Sequence, residues 1–248
     1  MSDFYTYPKT PHLQTVSYKE LEGKYVVVEE KMDGTQVGIS FDLDGKLVFQ
    51  TRNKIFSGHP RELQFDILKQ WANVHKNTLL EILGTRYVVF GEYVYAKHTV
   101  FYDALPHYFI EFDVLNKSSG DFLSTMERKL MFSDTPIVSA AVVWNGILDE
   151  IETIHTLTGH SIFKTSNWRT TLERLAKEQE IDLDTVYKET DNSDSMEGLY
   201  IKVESDKVLK RFKFVRPDFI RAIRDSETHW INRPIITNQL RLGINLWR

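Results

Sequence analysis

The sequence contains no cysteine, which excludes disulfide bridges, thiolate catalysis and cysteine-ligated zinc or iron–sulfur clusters. It has no apolar run of the roughly 18 residues that a membrane-spanning helix needs. Residues 1–14 lack the basic start and apolar core of an export signal. We therefore expect a cytoplasmic protein that neither spans a membrane nor is exported.

Charge of one sign is also not in large excess. The 31 basic and 35 acidic residues give a formal net charge of −4, so binding to a polyanion would require local clustering of positive charge. Of the 248 residues, 42% are apolar, enough to fill the core of one large domain or two small ones. Composition alone neither favours nor excludes a nucleic-acid partner.

Strand patterns recur along the chain, with helical patterns between them. Strands are predicted at 24–30, 35–42, 46–52, 86–95, 107–115, 196–205 and 207–216, with a buried strand at 136–144. Helical spacing occurs at 61–76, 167–180 and 218–226, and Ser124 with Glu127 forms a capping box. Many strands with interspersed helices predict an α+β fold with largely antiparallel sheets.

Charged residues interrupt several of these strands, where packing alone predicts apolar alternation. Lys31 ends the first strand before Asp33-Gly34, and further charges lie at 51–53, 90–94, 196–202 and 210–214. Taken alone, Lys31 is a solvated turn lysine. Taken together, an amine, carboxylates and several cations suit a reaction at a nucleotide phosphate, in which the amine attacks phosphorus and cations neutralise the developing charge.

Four of these stretches, together with residues 109–113, resemble motifs of the covalent nucleotidyltransferases, which comprise ATP-dependent RNA and DNA ligases and mRNA capping guanylyltransferases. They follow the family order: Lys31-Met32-Asp33-Gly34, Thr51-Arg52-Asn53, Phe90-Gly91-Glu92, Phe109-Ile110-Glu111-Phe112-Asp113 and Glu197-Gly198-Leu199-Tyr200-Ile201-Lys202. The sequence is most similar to the phage-type RNA ligase branch. The resemblance implies a nucleotidyltransferase fold, also called the ligase adenylation domain.

One departure from the family lies in the last motif. The family usually has K-x-K there, whereas this chain has Lys210-Arg211-Phe212-Lys213. Strand alternation places Arg211 and Lys213 on one face and Phe212 on the other, so we match those two residues to the motif. A guanidinium replaces an ammonium as a phosphate ligand but does not readily give up a proton.

The resemblance implies a role for each motif residue. Lys31 is the nucleophile, Glu92 binds the ribose of ATP, and Phe112 stacks on the base. Arg52 binds the lysine-bound phosphate or an incoming 5′-phosphate strand, and Glu30 acts through its backbone. The structural alternatives are a solvated strand glutamate for Glu92, a hairpin-covering stem for Arg52 and a core aromatic for Phe112.

The remaining residues are expected to manage charge. Glu197 holds Mg²⁺, for which Mn²⁺ can substitute, although a glutamate before Gly198 also suits a plain β-turn. A lysine of ordinary pKa is protonated at neutral pH, so we expect Mg²⁺, Lys202, Arg211 and Lys213 to lower the pKa of Lys31 and to neutralise the phosphate.

The implied reaction is RNA ligation for RNA repair. Lys31 takes AMP from ATP, passes it to an RNA 5′-phosphate, and a 3′-hydroxyl then displaces AMP. The resemblance implies a nucleotidyltransferase domain over residues 1–216, with an insert around 121–190, and a short helical tail over 217–248 without an OB-fold domain.

Three other functions use the same core: a capping guanylyltransferase with GTP, a DNA ligase, and a non-catalytic module that binds RNA ends or nucleotide. The short tail disfavours the first two, which normally carry an OB-fold domain there. A partner protein that completes the tail is a further alternative. The sequence leaves open whether the RNA is a nicked duplex, a tRNA break or a single strand.

Overall fold

The computed structural model describes residues 4–226, 228–229 and 233–248. Within them, nine strands are formed: β1 (Tyr25–Lys31), β2 (Thr35–Phe41), β3 (Leu47–Thr51), β4 (Tyr87–Tyr93), β5 (Phe109–Asn116), β6 (Val138–Ser139), β7 (Val142–Ile147), β8 (Gly198–Glu204) and β9 (Val208–Val215). The α-helices in the same residues are α1 (Asp66–Val74), α2 (Lys76–Leu83), α3 (Thr125–Met131), α4 (Glu152–Thr156), α5 (Trp168–Glu178), α6 (Leu183–Lys188) and α7 (Pro217–Asp225).

The strands form two sheets. Sheet A has the order β7-β1-β8-β9 and is antiparallel throughout. Sheet B has the order β3-β2-β4-β5-β6 and is antiparallel except for the short β5–β6 pair. This arrangement confirms the α+β class with largely antiparallel sheets.

Each sheet buries one apolar face in a core of its own. In sheet A, Val28, Ile201 and Phe212 pack against Leu21 and α4. Side chains alternate across a strand, so Lys31 lies on the opposite face of sheet A, which points toward sheet B. In sheet B, apolar residues of β2 and β4 pack against α1 and α2. The opposite faces of the two sheets meet, and they carry charged residues together with a further apolar cluster that includes Phe90 and Tyr200.

A buried network of charges joins these two faces. Arg128 of α3 donates to Glu29 of β1 at 2.6 Å and to Glu111 of β5 at 2.5 Å. Lys202 of β8 lies 2.9 Å from Glu29 and 3.3 Å from Asp113 of β5. Ion pairing is what makes such burial tolerable, since an unpaired charge in the same place would be costly.

One helix prediction and one strand prediction were wrong in detail. The helix expected over 61–76 is instead a 3₁₀ turn over Pro60–Phe65 followed by α1 and α2, which are separated at His75. His75 has a ψ of 14°, which takes it out of the helix, and its ring nitrogen hydrogen-bonds the Leu246 carbonyl at 3.0 Å.

The single buried strand expected over 136–144 is also wrong. This stretch divides into β6, which extends sheet B, and β7, which forms an edge of sheet A and is only partly buried. Segment 121–190 therefore supplies a strand to each sheet. The division of the chain into domains at 216, with that segment as an insert, stays a prediction.

Local sequence signals account for other features. The capping box is confirmed, because the Glu127 backbone N–H donates to Ser124 Oγ at 3.3 Å and the Ser124 N–H to the Glu127 carboxylate at 3.0 Å. In the β2–β3 hairpin, Gly45 has a φ of +72°, which favours glycine. After α7, residues 233–248 contain no helix or strand. In the described ranges, no helix has the length and apolarity to cross a membrane.

Candidate active site

A cavity of about 600 Å³ opens where the facing sides of the two sheets meet. Its lining comes from β1, the loop after it, β2, the β3 end, β4, β5, β8 and β9. The predicted site residues among its lining are Glu30, Lys31, Arg52, Glu92, Phe112 and Lys213. Six predicted residues from separate parts of the sequence are thus brought together.

Lys31 lines this cavity and forms an ion pair with Glu197, which is buried and does not itself line it. Lys31 Nζ lies 2.7 Å from Glu197 Oε1, and the lysine side chain is 26% exposed. Burial alone would lower the pKa of Lys31, but the negative charge of Glu197, followed by Glu92 and Asp33, raises that pKa above its ordinary value. The pair therefore favours the ammonium form of Lys31, and the lowering of its pKa by Mg²⁺ and nearby cations stays a prediction.

The loop that follows Lys31 is fixed by Asp33. Asp33 Oδ2 accepts hydrogen bonds from the backbone N–H groups of Thr99 and Val100, each at 2.7 Å. The Asp33 N–H donates to the Tyr102 hydroxyl at 2.9 Å. A Cβ on the next residue, Gly34, would lie 2.6 Å from the Tyr93 carbonyl oxygen, so only glycine fits there without a shift.

Glu92 lies on β4, opposite Gln36 of β2, and its side chain is partly exposed to the cavity. Loss of hydration raises its pKa to about 8, although the Lys31 ammonium lowers it in part, while Glu197 and Asp33 add to the rise. The Gly34 backbone N–H donates to its carboxylate. A carboxyl that is partly protonated at neutral pH can both accept from and donate to a ribose hydroxyl.

Glu197 is one of several buried carboxylates with an unpartnered oxygen, and it is the one paired with Lys31. It is buried, and its Oε2 has no hydrogen-bond partner in the part of the chain that the structure describes. Burial raises its pKa to about 7, against the opposing effect of Lys31. Over the same residues no group of three or more His, Asp or Glu side chains is placed to hold a metal. The site fits an ion bound by one protein carboxylate, with water and phosphate oxygens as the other ligands.

Phe112 reaches the cavity through a β-bulge. Phe90 pairs with Asp113 and Gly91 with Glu111, so Phe112 is the extra residue of β5. Bulges redirect a side chain, and here the Phe112 ring lies at the cavity, 5.6 Å from the ring of Tyr200. Lys202 donates from Nζ to the Phe112 carbonyl, which the bulge removes from regular pairing.

Lys202 and Arg211 do not line the cavity. Lys202 is fully buried in the charge network between the sheets. Arg211 has its Nε 3.4 Å from Asp113 Oδ2 and its guanidinium 4.2 Å from the centre of the Phe122 ring. Of the three predicted cations, Lys213 alone lines the cavity, where burial and the charges of Lys31 and Arg52 lower its pKa.

Sequence reasoning assigned no role to several residues at this site. Asp33 was part of a quoted motif, and its position two residues after Lys31 was the available signal. Tyr7 and Thr10 also line the cavity, and the hydroxyl of Tyr7 contacts Asp113 and Tyr200. Nothing in the pattern of the N-terminal residues pointed to the site, because they approach it only through the folded chain.

Comparison with protein families bears on this site. The sequence matches the model of the RNA ligase family over residues 24–215, well over half of the chain and all five motifs. The comparison with curated proteins gave no match.

Solved structures of an RNA ligase from Naegleria gruberi are similar in fold. One with PPi has a TM-score of 0.61 at 15% identity, and covers 91% of this chain and 60% of its own. A variant with ATP and Mn has a TM-score of 0.61 at 15% identity, and covers 91% of this chain and 59% of its own. Another variant with AMP and Mn has a TM-score of 0.62 at 14% identity, and covers 91% of this chain and 60% of its own. This chain thus spans about three fifths of the length of these relatives.

Proposed function

This chain belongs to the RNA ligase family, and we propose that it joins RNA ends with ATP through a covalent AMP intermediate on Lys31. The observation that carries the proposal is the position of Lys31 Nζ at the cavity, 2.7 Å from the buried Glu197 carboxylate and with Glu92 as a second acidic neighbour. A lysine held between carboxylates at the mouth of a nucleotide-sized cavity is unusual for a solvated turn lysine.

In the first step the Lys31 amine attacks the α-phosphorus of ATP, the new N–P bond forms, and pyrophosphate leaves. The ammonium must first lose a proton, because only the neutral amine has an electron pair to donate. Glu197 favours the ammonium form of Lys31. The negative charge of Glu197 must therefore be neutralised by another cation before Lys31 attacks. Mg²⁺ bound at Glu197, or Mn²⁺ in its place, would supply that positive charge and stabilise the phosphate oxygens.

The other cavity residues orient the nucleotide. The Phe112 ring stacks on the base, and the Glu92 carboxylate accepts a hydrogen bond from a ribose hydroxyl. Lys213 and Arg52 contact phosphate oxygens, where fixed positive charge stabilises the transition state more than the ground state. Lys202 and Arg211 act from outside the cavity, by holding the backbone and charge network behind it.

The later steps rest on family membership. AMP passes from Lys31 to an RNA 5′-phosphate, and a 3′-hydroxyl then attacks that phosphate and releases AMP. RNA with a 5′-phosphate and a 3′-hydroxyl is the expected partner. The structures with PPi, AMP, ATP and Mn are of the Naegleria enzyme, and they support the same cofactors for this chain by fold similarity.

A sealing assay tests the proposal. The protein is incubated with Mg²⁺, a nicked RNA duplex or single-stranded RNA, and either ATP or GTP. We expect joined product with ATP when the RNA carries a 5′-phosphate, and none when the phosphate has been removed. Joining of DNA alone, or nucleotide transfer from GTP alone, would contradict an ATP-dependent RNA ligase and favour one of the related activities.

A further inference from the structure

The N-terminal segment, residues 4–13, connects the two sheets beside the cavity. The Lys213 backbone N–H donates to the Pro11 carbonyl at 3.0 Å. At the other sheet, the Tyr5 N–H donates to the side chain of Gln50 at 3.1 Å, and the Gln50 amide donates to the Tyr5 carbonyl at 2.7 Å. The segment is therefore a fixed wall of the site.

This wall places His12 beside Lys213. The two residues pair in a parallel bridge, and paired residues of adjacent strands direct their side chains to the same face. Across sheet A, Glu29, Tyr200 and Lys213 are in register, so His12 extends that row by one position. Thr10, two residues earlier, lines the cavity. His12 therefore lies at the edge of the site, next to a cation that lines it.

Two cations act on His12: Lys213, and Lys31, which is itself paired with Glu197. Burial, then Lys213 and Lys31, lower the pKa of His12 below its ordinary value. Throughout the described ranges, no carboxylate comes within ion-pair distance of His12 or Lys213. A neutral imidazole with an N–H donor between cations suits an anion, whose arrival would also favour protonation of the ring.

We propose that His12 is a phosphate-binding residue of this site, which acts with Lys213 on a phosphate group of a substrate. The inference rests on the proposed function and adds a residue to it. Two substrates carry this chemistry: the β- and γ-phosphates of ATP, and the 5′-phosphate of RNA. Both present several oxygen acceptors to N–H donors and are attracted by the same cations.

Three variants and two reactions test the proposal. His12→Gln keeps a hydrogen-bonding group of similar size but not the ability to become a cation, and His12→Arg keeps both donors and charge. Lys19→Gln, an exposed change in the same part of the chain, is the control. The first reaction is formation of the AMP adduct over a range of ATP concentrations. The second is transfer from preformed adduct to RNA with a 5′-phosphate.

We expect His12→Gln to lower kcat/KM by about tenfold or more in one of the two reactions, the usual effect of losing one hydrogen bond to a charged group. His12→Arg should recover most of the lost kcat/KM. Both variants should keep the melting temperature of the wild type. Loss in the first reaction identifies ATP as the ligand, and loss in the second identifies RNA. Rates within twofold of the wild type in both reactions would overturn the phosphate contact. If the wild-type protein forms no adduct, the proposed function fails with it.

Discussion

Lys31 Nζ and Glu197 Oε1 lie 2.7 Å apart, and this contact controls the protonation of both residues. The carboxylate raises the pKa of the lysine against the effect of burial, while the ammonium only partly offsets the rise that burial causes in the pKa of Glu197, to about 7. The residue proposed to attack phosphorus is therefore held in its unreactive form by the residue proposed to bind metal. Glu197 thus couples metal binding to the deprotonation of Lys31.

Replacement of Glu197 by Gln should stabilise the fold increasingly as pH rises. In the unfolded chain the group titrates near 4.5 and in the folded protein near 7, so between these values the folded state holds a proton that the unfolded state has lost. The contribution of Glu197 to wild-type stability must then fall with rising pH. Lys31, Asp33 and Lys213 face the same carboxyl and are unchanged by the variant.

Urea unfolding at pH 5 and pH 8 measures this effect. We expect the free energy of unfolding of Glu197→Gln, relative to wild type, to rise by about 2 kcal/mol over that range. Glu81→Gln, on the exposed surface of α2, is the matched control. The same difference at both pH values would show that Glu197 has no raised pKa in the folded protein.

The two cations of the last motif should differ in what they affect. Lys213 lines the cavity, so Lys213→Gln should reduce adduct formation by about 100-fold, as for other groups that stabilise a transition state, with little change in melting temperature. Arg211 instead stacks over Phe122 at 4.2 Å, so Arg211→Lys should cost about 1 kcal/mol of stability and keep partial sealing.

Thermal unfolding and single-turnover adduct formation, measured on both variants, separate these effects. Complete loss of sealing in Arg211→Lys with an unchanged melting temperature would instead assign Arg211 a direct bidentate contact with phosphate.

Lys202 should act on nucleotide binding through the bulge at Phe112. Its Nζ donates to the Phe112 carbonyl, so Lys202→Met would release that backbone group and leave Glu29 and Asp113 with less positive charge nearby. We expect KM for ATP to rise by about tenfold, which corresponds to one lost hydrogen bond to a charged group, together with reduced stability.

The control for Lys202 is Lys207→Met. It removes an exposed ion pair with Asp121 from the turn between β8, which carries Lys202, and β9. Initial rates over a range of ATP concentrations provide the test. A change in kcat with KM unaltered would mean that Lys202 reaches the reacting phosphate rather than supporting Phe112.

Arg128 should be the most sensitive charged residue for folding. Removing its guanidinium leaves Glu111 buried without its ion-pair partner and Glu29 with Lys202 alone, and breaking a buried pair in this way typically costs about 3 to 5 kcal/mol. Arg174→Leu removes an exposed pair with Glu178 and should cost less than about 0.5 kcal/mol. Chemical denaturation of Arg128→Leu and Arg174→Leu gives both values, and equal losses would contradict a buried network.

The sequence predicted most of the strands because alternation of apolar and polar residues is a local signal. Alternation over β8 and β9 placed Arg211 and Lys213 on one face and Phe212 in the opposite core, as the register confirms. The resemblance selected Lys31 and Glu92 from many charged residues. Their roles in catalysis stay predictions.

Other features depend on contacts between distant parts of the chain. Arg128 lies 99 residues from Glu29 and 17 from Glu111, so no local pattern announces their network. The bulge at Phe112 arises from pairing between β4 and β5, and no periodicity marks it. The raised pKa of Lys31 likewise follows from the approach of Glu197, which only the folded chain brings about.

Intact-mass measurement after incubation with ATP and Mg²⁺, followed by peptide mapping, tests the central claim most directly. The account predicts the mass of one AMP on the wild-type protein, located at Lys31, and no added mass on a folded Lys31→Ala variant. AMP attached to another residue, or attachment that persists in Lys31→Ala, would contradict Lys31 as the nucleophile.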